Sequence, residues 1–204
     1  MMTSLNKSRP VYASLEPVAQ GTQHWFVTSG ATDADRASAL NTLSSLSTAG
    51  GAAPLEVWAV DKDMAQAGAG AACALANAVA HRFDAEDELL AALGKALRGA
   101  RVGIRLYALG TEPFIWSVGQ VAERCGLAPD AVQVAHSGSL MRRVYCIHCR
   151  AMNEGVTTNV AACGGCGRHL LVRDHFSRRL AAFMGVQADA EVPGELPEIE
   201  HAFR

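Results

Sequence analysis

Residues 24–48 read HWFVTSGATDADRASALNTLSSLST. The first six, His24 to Ser29, form a short aromatic and β-branched run that stops at Gly30. Thr32 or Asp33 can then cap a helix reaching about Thr48, with Ala37, Leu40, Leu43 and Leu46 on one face. Gly50 and Gly51 break it. A strand followed by a helix of this length needs a crossover to rejoin its sheet, and crossovers make parallel sheets. The alternation continues with a strand at Leu55 to Val60 (LEVWAV) and a helix at Asp84 to Leu97 striped by Leu89, Leu90, Leu93 and Leu97. A strand at Val102 to Leu109, a helix at Pro113 to Cys125 ended by Gly126, and a short strand at Val132 to Ala135 complete it. Between them, Gly68 and Gly70 oppose a helix that Ala71 to Val79 favour. Residues 21–138 are thus predicted as a small doubly wound, mostly parallel α/β domain. An arm, residues 1–20, carries Pro10, Pro17 and no period.

The chain has 204 residues, more than one average domain and fewer than two, which predicts one core and a smaller appendage. Eighteen Lys and Arg face 20 Asp and Glu, so no general field attracts nucleic acid or anionic lipid. The uncharged stretch Met64 to Ala80 is rich in Ala and Gly and contains Gln66 and Asn77, too weak a signal for a membrane span. No basic and then apolar leader opens the sequence, and a cytoplasmic protein is expected.

Composition shifts near Ser137. Residues 140–180 hold seven arginines (142, 143, 150, 168, 173, 178 and 179) against Glu154 and Asp174. Residues 187–204 reverse this with Asp189, Glu191, Glu195, Glu198 and Glu200 against Arg204, and Pro193 and Pro197 keep them extended. Of six cysteines, Cys73 and Cys125 stand alone, whereas Cys146, Cys149, Cys163 and Cys166 fall within 21 residues. In a reducing compartment such clustering points to a metal rather than to disulfides. Each Cys-x2-Cys pair is a tight turn whose sulfurs can face one ion, and two such knuckles supply a thiolate tetrahedron suited to Zn²⁺. Gly164, Gly165 and Gly167 provide the backbone freedom a knuckle needs.

The β-type flanks Arg143 to Tyr145 and Leu170 to Val172 predict a small ribbon, in residues 139–186, whose core needs a metal to fold. A closed four-Cys site leaves no position for water, which favours a structural zinc; mononuclear iron on the same thiolates, with a redox role, stays open. His148 and His169 flank the knuckles, but four thiolates already fill a tetrahedron. Residues 171–184 are expected to run from a short strand into an amphipathic helix. Asp174 would cap it, with Leu180, Phe183 and Met184 on one side and Arg178 and Arg179 on the solvated face. The acidic tail, residues 187–204, has too little apolar content to fold alone and is expected to order on a partner.

Tyr107 to Trp116 reads YALGTEPFIW at a strand-to-helix junction. It resembles the last βαβ unit of the NAD(P)-binding lobe of ferredoxin reductases, where a Cys-Gly-Pro-Glu-Pro run occupies the turn. Leu109 stands at the family's Cys and Thr111 at its first Pro; Gly110, Glu112 and Pro113 match. The resemblance implies the lobe's fold without its nucleotide contacts. Ser29-Gly30-Ala31-Thr32-Asp33 offers one glycine and an acid in place of a Gly-rich pyrophosphate loop. Asp61-Lys62-Asp63 puts carboxylates where an NADP-using lobe prefers a base, and Gly68 to Cys73 lacks the third glycine of a dinucleotide fingerprint. Cys125 sits at a helix end beside Gly126 and reads as packing. No catalytic set is complete, and no catalytic or cofactor-binding residue is assigned.

Arg142 to Glu195, together with LGTEPFIW upstream, resembles the small subunit of bacterial dimethylamine monooxygenase, and the likeness extends over nearly the whole chain after the arm. The resemblance implies a complex that uses NADPH and O2 to turn dimethylamine into methylamine and formaldehyde. Haem is then expected on one larger subunit, and FMN plus a [2Fe-2S] cluster on another. This chain would be the non-catalytic accessory subunit that holds them together. Two other classes stay open, an electron-transferring or NAD(P)H-binding reductase component and a zinc-ribbon nucleic-acid module. The ribbon has few aromatics for base stacking, only Tyr145, Phe176 and Phe183, which weighs against the last.

Overall fold

The computed structural model describes residues 9–48, 55–60 and 78–204. Asp61-Lys62-Asp63, the Gly68 to Cys73 run and the ambiguous Ala-rich segment as far as Asn77 lie outside the described residues. The described residues divide into two compact units, one of residues 12–138 and one of residues 9–11 with 139–204.

The first unit runs β1 (Gln23–Ser29), α1 (Asp33–Thr48), β2 (Glu56–Val60), β3 (Val79–Phe83), α2 (Glu86–Leu97), β4 (Ile104–Gly110), α3 (Glu112–Arg124), a 3₁₀ turn (Pro129–Ala131) and β5 (Val132–His136). Its strands pair in parallel in the order β3-β2-β1-β4-β5, which is the expected doubly wound sheet. Alternating side chains divide the core. Trp25, Val27, Trp58 and Leu106 pack with Leu89, Leu93, Phe114 and Val118 of α2 and α3. Phe26, Val57, Tyr107 and Leu109 pack with Leu40, Leu43 and Leu46 of α1. The central strands are buried on both faces, and so they read as continuous apolar runs.

Two expectations change here. β3, with the sequence VAHRF, is an unforeseen fifth strand; it borders the sheet, is largely exposed, and carries His81 stacked 4.1 Å from the Trp58 ring. The second half of the predicted arm belongs to the lobe. Leu15 is buried against α1, and the Val18 N–H donates to the Tyr107 hydroxyl at 3.1 Å.

The second unit is a five-stranded mixed sheet: β6 (Arg142–Cys146), β7 (Met152–Val156), β8 (Val160–Ala162), β9 (His169–Ser177) and β10 (Ala182–Gln187), in the order β7-β6-β10-β9-β8. β6 and β10 are parallel and the other pairs antiparallel. The helix expected within residues 174–184 is absent. In its place β9 and β10 form a hairpin in which Phe183 faces Phe176, ring centroids 5.0 Å apart. The i, i+3, i+4 spacing of Leu180, Phe183 and Met184 is outweighed by strand pairing along Leu170 to Gln187, which buries Leu170, Val172 and Phe183 in one core. Asp174 therefore caps no helix; it ion-pairs with Arg142 at 2.7 Å.

The tail has no helix or strand beyond Gln187, yet its end packs within its own unit. The N–H groups of Asn159 and Phe203 donate to the Glu200 and Thr157 carbonyls at 3.1 and 2.9 Å. The guanidinium of Arg142 lies between the rings of Phe183 and Phe203, 3.9 and 3.8 Å from their centroids. Among the described residues, no helix is long and apolar enough to cross a membrane.

Candidate metal centre

The β6–β7 turn and the β8–β9 loop each form a knuckle, and the two have the same backbone bonding. In the first, the Arg150 N–H donates to the Cys146 carbonyl and the Cys146 N–H to the Ala151 carbonyl, both at 2.9 Å. In the second, Gly167 N–H donates to Cys163 at 2.9 Å and Cys163 N–H to Arg168 at 2.8 Å. The four sulfurs this brings together, Cys146, Cys149, Cys163 and Cys166, all lie within 4.8 Å of one another. Cys149 and Cys163 are 3.5 Å apart and Cys146 and Cys166 3.9 Å. A tetrahedron with bonds of about 2.3 Å has edges of about 3.8 Å, so the donor set and its spacing suit a tetrathiolate ion.

The surroundings suit the role. The Gly165 N–H points at Cys163 Sγ from 3.4 Å. A Cβ on Gly165 would meet Ala151 at 2.7 Å and Cys149 Sγ at 3.0 Å, so only glycine lets the knuckles interlock this closely. The Cys149 and Cys163 thiols bias one another. For Cys149 an Ala151 backbone hydrogen bond favours the thiolate, but desolvation and the neighbouring sulfurs outweigh it and push the thiol up to about 12. For Cys163 desolvation is the largest influence and opposes ionisation; backbone N–H groups at Cys166 and Gly165 with the Cys149 thiol overcome it and bring Cys163 down to about 6. A divalent ion displaces the remaining protons. His148 takes no place among the ligands: its Nδ1 accepts from Arg168 at 3.0 Å, which links the knuckles from outside.

At the carboxyl ends of the strands, where open α/β sheets bind ligands, Tyr12, Asp35, Leu109 and His136 line a cavity of about 260 Å³, and the turns beside it are bonded to one another. The Thr32 N–H donates to Ser137 Oγ at 3.0 Å, and the Asp35 carboxylate accepts from Ser137 and Thr32 hydroxyls at 2.6 and 2.8 Å. Those bonds hold the Asp35 carboxyl below its ordinary range, Ser137 contributing most, and keep a negative charge in the first turn of α1. Backbone packs tightly beside it at two glycines. A Cβ on Gly138 would stand 1.9 Å from the Gly30 carbonyl oxygen, and one on Gly110 2.0 Å from that of Ser29. Leu109, at the position of the reductase Cys, is buried. Glu112, also buried, accepts from the Tyr12 hydroxyl at 2.6 Å, and that hydroxyl accepts from Trp116 Nε1 at 2.7 Å. Cys125 directs its thiol to the Gly94 carbonyl, 3.5 Å away between α3 and α2.

Sequence reasoning missed Asn153, Tyr12 and Ser137, single polar residues whose partners are remote in the chain.

The N-terminal domain model of the dimethylamine monooxygenase subunit DmmA-like family matches residues 5–132, and the C-terminal domain model of that family matches residues 143–186. Over 111 residues the chain is 38% identical to the heme-dependent oxidative N-demethylase delta subunit of Ectopseudomonas mendocina (strain ymp). That stretch covers 54% of this chain and 63% of the relative, less than two thirds of its length. No solved structure matches. Since the N-terminal match alone spans more than half of the sequence and the C-terminal match encloses all four clustered cysteines, the chain belongs to the DmmA-like family of dimethylamine monooxygenase subunits.

Proposed function

We propose that this chain is the non-catalytic accessory subunit of a cytoplasmic, NADPH- and O2-dependent dimethylamine monooxygenase, holding a haem subunit and an FMN/[2Fe-2S] subunit in one hetero-oligomer. In this reading Cys146, Cys149, Cys163 and Cys166 hold one zinc ion, which supplies a cross-link between the knuckles and no redox chemistry. The observation that carries the proposal is the pairing of a reductase-like lobe, with the Asp35 carboxylate at the carboxyl end of its sheet, and a compact four-cysteine ribbon. Such a chain has surfaces to offer partners, and the Asp35 carboxylate on its cavity wall disfavours an anionic nucleotide there. Membership of the family and the name of the relative, a subunit of a heme-dependent oxidative N-demethylase, support the accessory-subunit part of this reading. The nucleic-acid reading loses support, because Phe183 is in the ribbon core, Phe176 packs edge-on against it, and Arg142 and Arg143 are ion-paired with Asp174 and Glu154.

Co-expression with the haem and flavin subunits tests the role. The expected result is co-purification in a fixed ratio, with dimethylamine-dependent NADPH oxidation lost when this chain is omitted. Full activity of the two larger subunits without it overturns the proposal. Elemental analysis and a visible spectrum of the isolated chain test the metal: one zinc and no colour are expected, and a red iron tetrathiolate centre would make the chain an electron carrier.

A further inference from the structure

Asn153 lies on β7 opposite Val144, on the core side of the sheet, and its carboxamide spans the two knuckles. Oδ1 accepts the Gly164 N–H of the second knuckle at 2.8 Å. Nδ2 lies 3.1 Å from the Val144 carbonyl and 3.5 Å from the Ala151 carbonyl, both on the first hairpin. The same nitrogen is 3.8 Å from Cys163 Sγ, within reach of an N–H···S bond. The orientation of the amide is fixed by this set, because a flip would aim an oxygen at two carbonyls and a sulfur and leave the Gly164 N–H facing an NH2.

We infer that Asn153 is the positioning residue of the metal centre: it locks the second knuckle to the first hairpin and supplies an N–H to the Cys163 sulfur. The inference rests on the reading of the cluster as a metal site. Two functions meet in one side chain. The acceptor fixes where the Cys163–Cys166 turn sits relative to Cys146 and Cys149. The donor withdraws charge from one thiolate of a centre that, when filled by a divalent ion, carries two net negative charges, with one further N–H on that sulfur from Gly165. A leucine or alanine here would remove both the Gly164 and the Cys163 hydrogen bonds that this side chain makes across the knuckles.

The test uses the full chain, demetallated under reducing conditions and titrated with Co²⁺, whose thiolate charge-transfer and d–d bands report ligation, followed by competition with Zn²⁺. Asn153→Asp keeps the acceptor for Gly164 and loses the donor; Asn153→Ala loses both; Glu154→Gln, on the other face, is the control. Both Asn153 variants are expected to bind about 10- to 100-fold more weakly. Asn153→Asp should also shift the charge-transfer band to lower energy, because an unbonded thiolate is the better electron donor. Wild-type affinity and spectrum in Asn153→Asp would overturn the donor role, and the same in Asn153→Ala would overturn the whole inference. A wild-type chain that binds no Co²⁺ would remove the metal reading itself, an outcome distinct from the other two.

Discussion

Arg150 holds in the first knuckle the left-handed backbone position that Gly167 holds in the second, with φ of 66° and 73°. Each donates its N–H at 2.9 Å to the first cysteine of its pair. That conformation costs a residue with a Cβ about 1–2 kcal/mol, while glycine adds about 0.5–1 kcal/mol of chain entropy to the unfolded state. Arg150→Gly is therefore expected to stabilise the ribbon unit by roughly 0.5 kcal/mol, and Gly167→Ala to destabilise it by a comparable or larger amount. The denaturant midpoint, at unchanged slope, measures both. A loss of stability in Arg150→Gly would mean that the guanidinium makes a contact worth more than the backbone strain.

The Tyr12 hydroxyl is donor to buried Glu112 and acceptor for Trp116, and so it ties a residue near the start of the lobe to the first turns of α3. Tyr12→Phe deletes both bonds while preserving the ring that stacks on His136 at 5.9 Å. An expected loss of about 1–3 kcal/mol follows from leaving a buried carboxylate without that donor. Glu112→Gln keeps an acceptor and should cost less. Thermal unfolding of the two variants gives the comparison; equal and negligible shifts would show that the first turns of α3 are held by packing alone.

The parallel sheet was legible because β1, β2 and β4 are sandwiched between helices, and burial on both faces writes an unbroken apolar run. β3 was not, because a border strand with Arg82 and His81 needs neither the run nor the alternation. The four cysteines were legible because ligand chemistry imposes spacing. Asn153 was invisible, as its meaning comes from Gly164 eleven residues away, and Tyr12 reaches Glu112 across a hundred. The hairpin at Ser177 to Ala182 was misread for a related reason. Three apolar residues within five satisfy a helical period, and only the partner strand decides otherwise.

His24 is buried on β1 beneath Tyr107, whose hydroxyl lies 3.4 Å from Nδ1. Desolvation holds its pKa below the 6.5 of a free imidazole, against a Gly21 backbone hydrogen bond that raises it, and the nearby Arg105 charge lowers it further. Below pH 6.5 the unfolded chain therefore binds a proton that the folded lobe refuses. The contribution is fully present above 6.5 and is lost as pH falls from there through the lower folded value. Asp35 acts in the same direction only at more acid pH, below its ordinary 3.8. His24→Asn, which retains a polar group near the Tyr107 hydroxyl, should flatten the fall in melting temperature between pH 7 and pH 5. An unchanged slope would assign the acid sensitivity to other groups.

Arg142 decides whether the tail is a strap or a free end. Its side chain is buried, ion-paired to Asp174 at 2.7 Å, and stacked between Phe183 of β10 and Phe203, the penultimate residue. A planar guanidinium can present two faces to rings and its edge to a carboxylate at once, whereas an ammonium cannot. Arg142→Lys should consequently behave as a disruptive change, and Phe203→Ala should lose one of the two stacking contacts, each worth about 0.5–2 kcal/mol. Hydrogen exchange gives the specific readout. The Phe203 and Asn159 amides, bonded to Thr157 and Glu200, should lose protection in both variants, while the Cys146 and Cys163 amides inside the knuckles keep theirs. If protection at residues 159 and 203 persists in Phe203→Ala, the backbone pairing alone retains the tail and the arginine stack contributes only to the sheet.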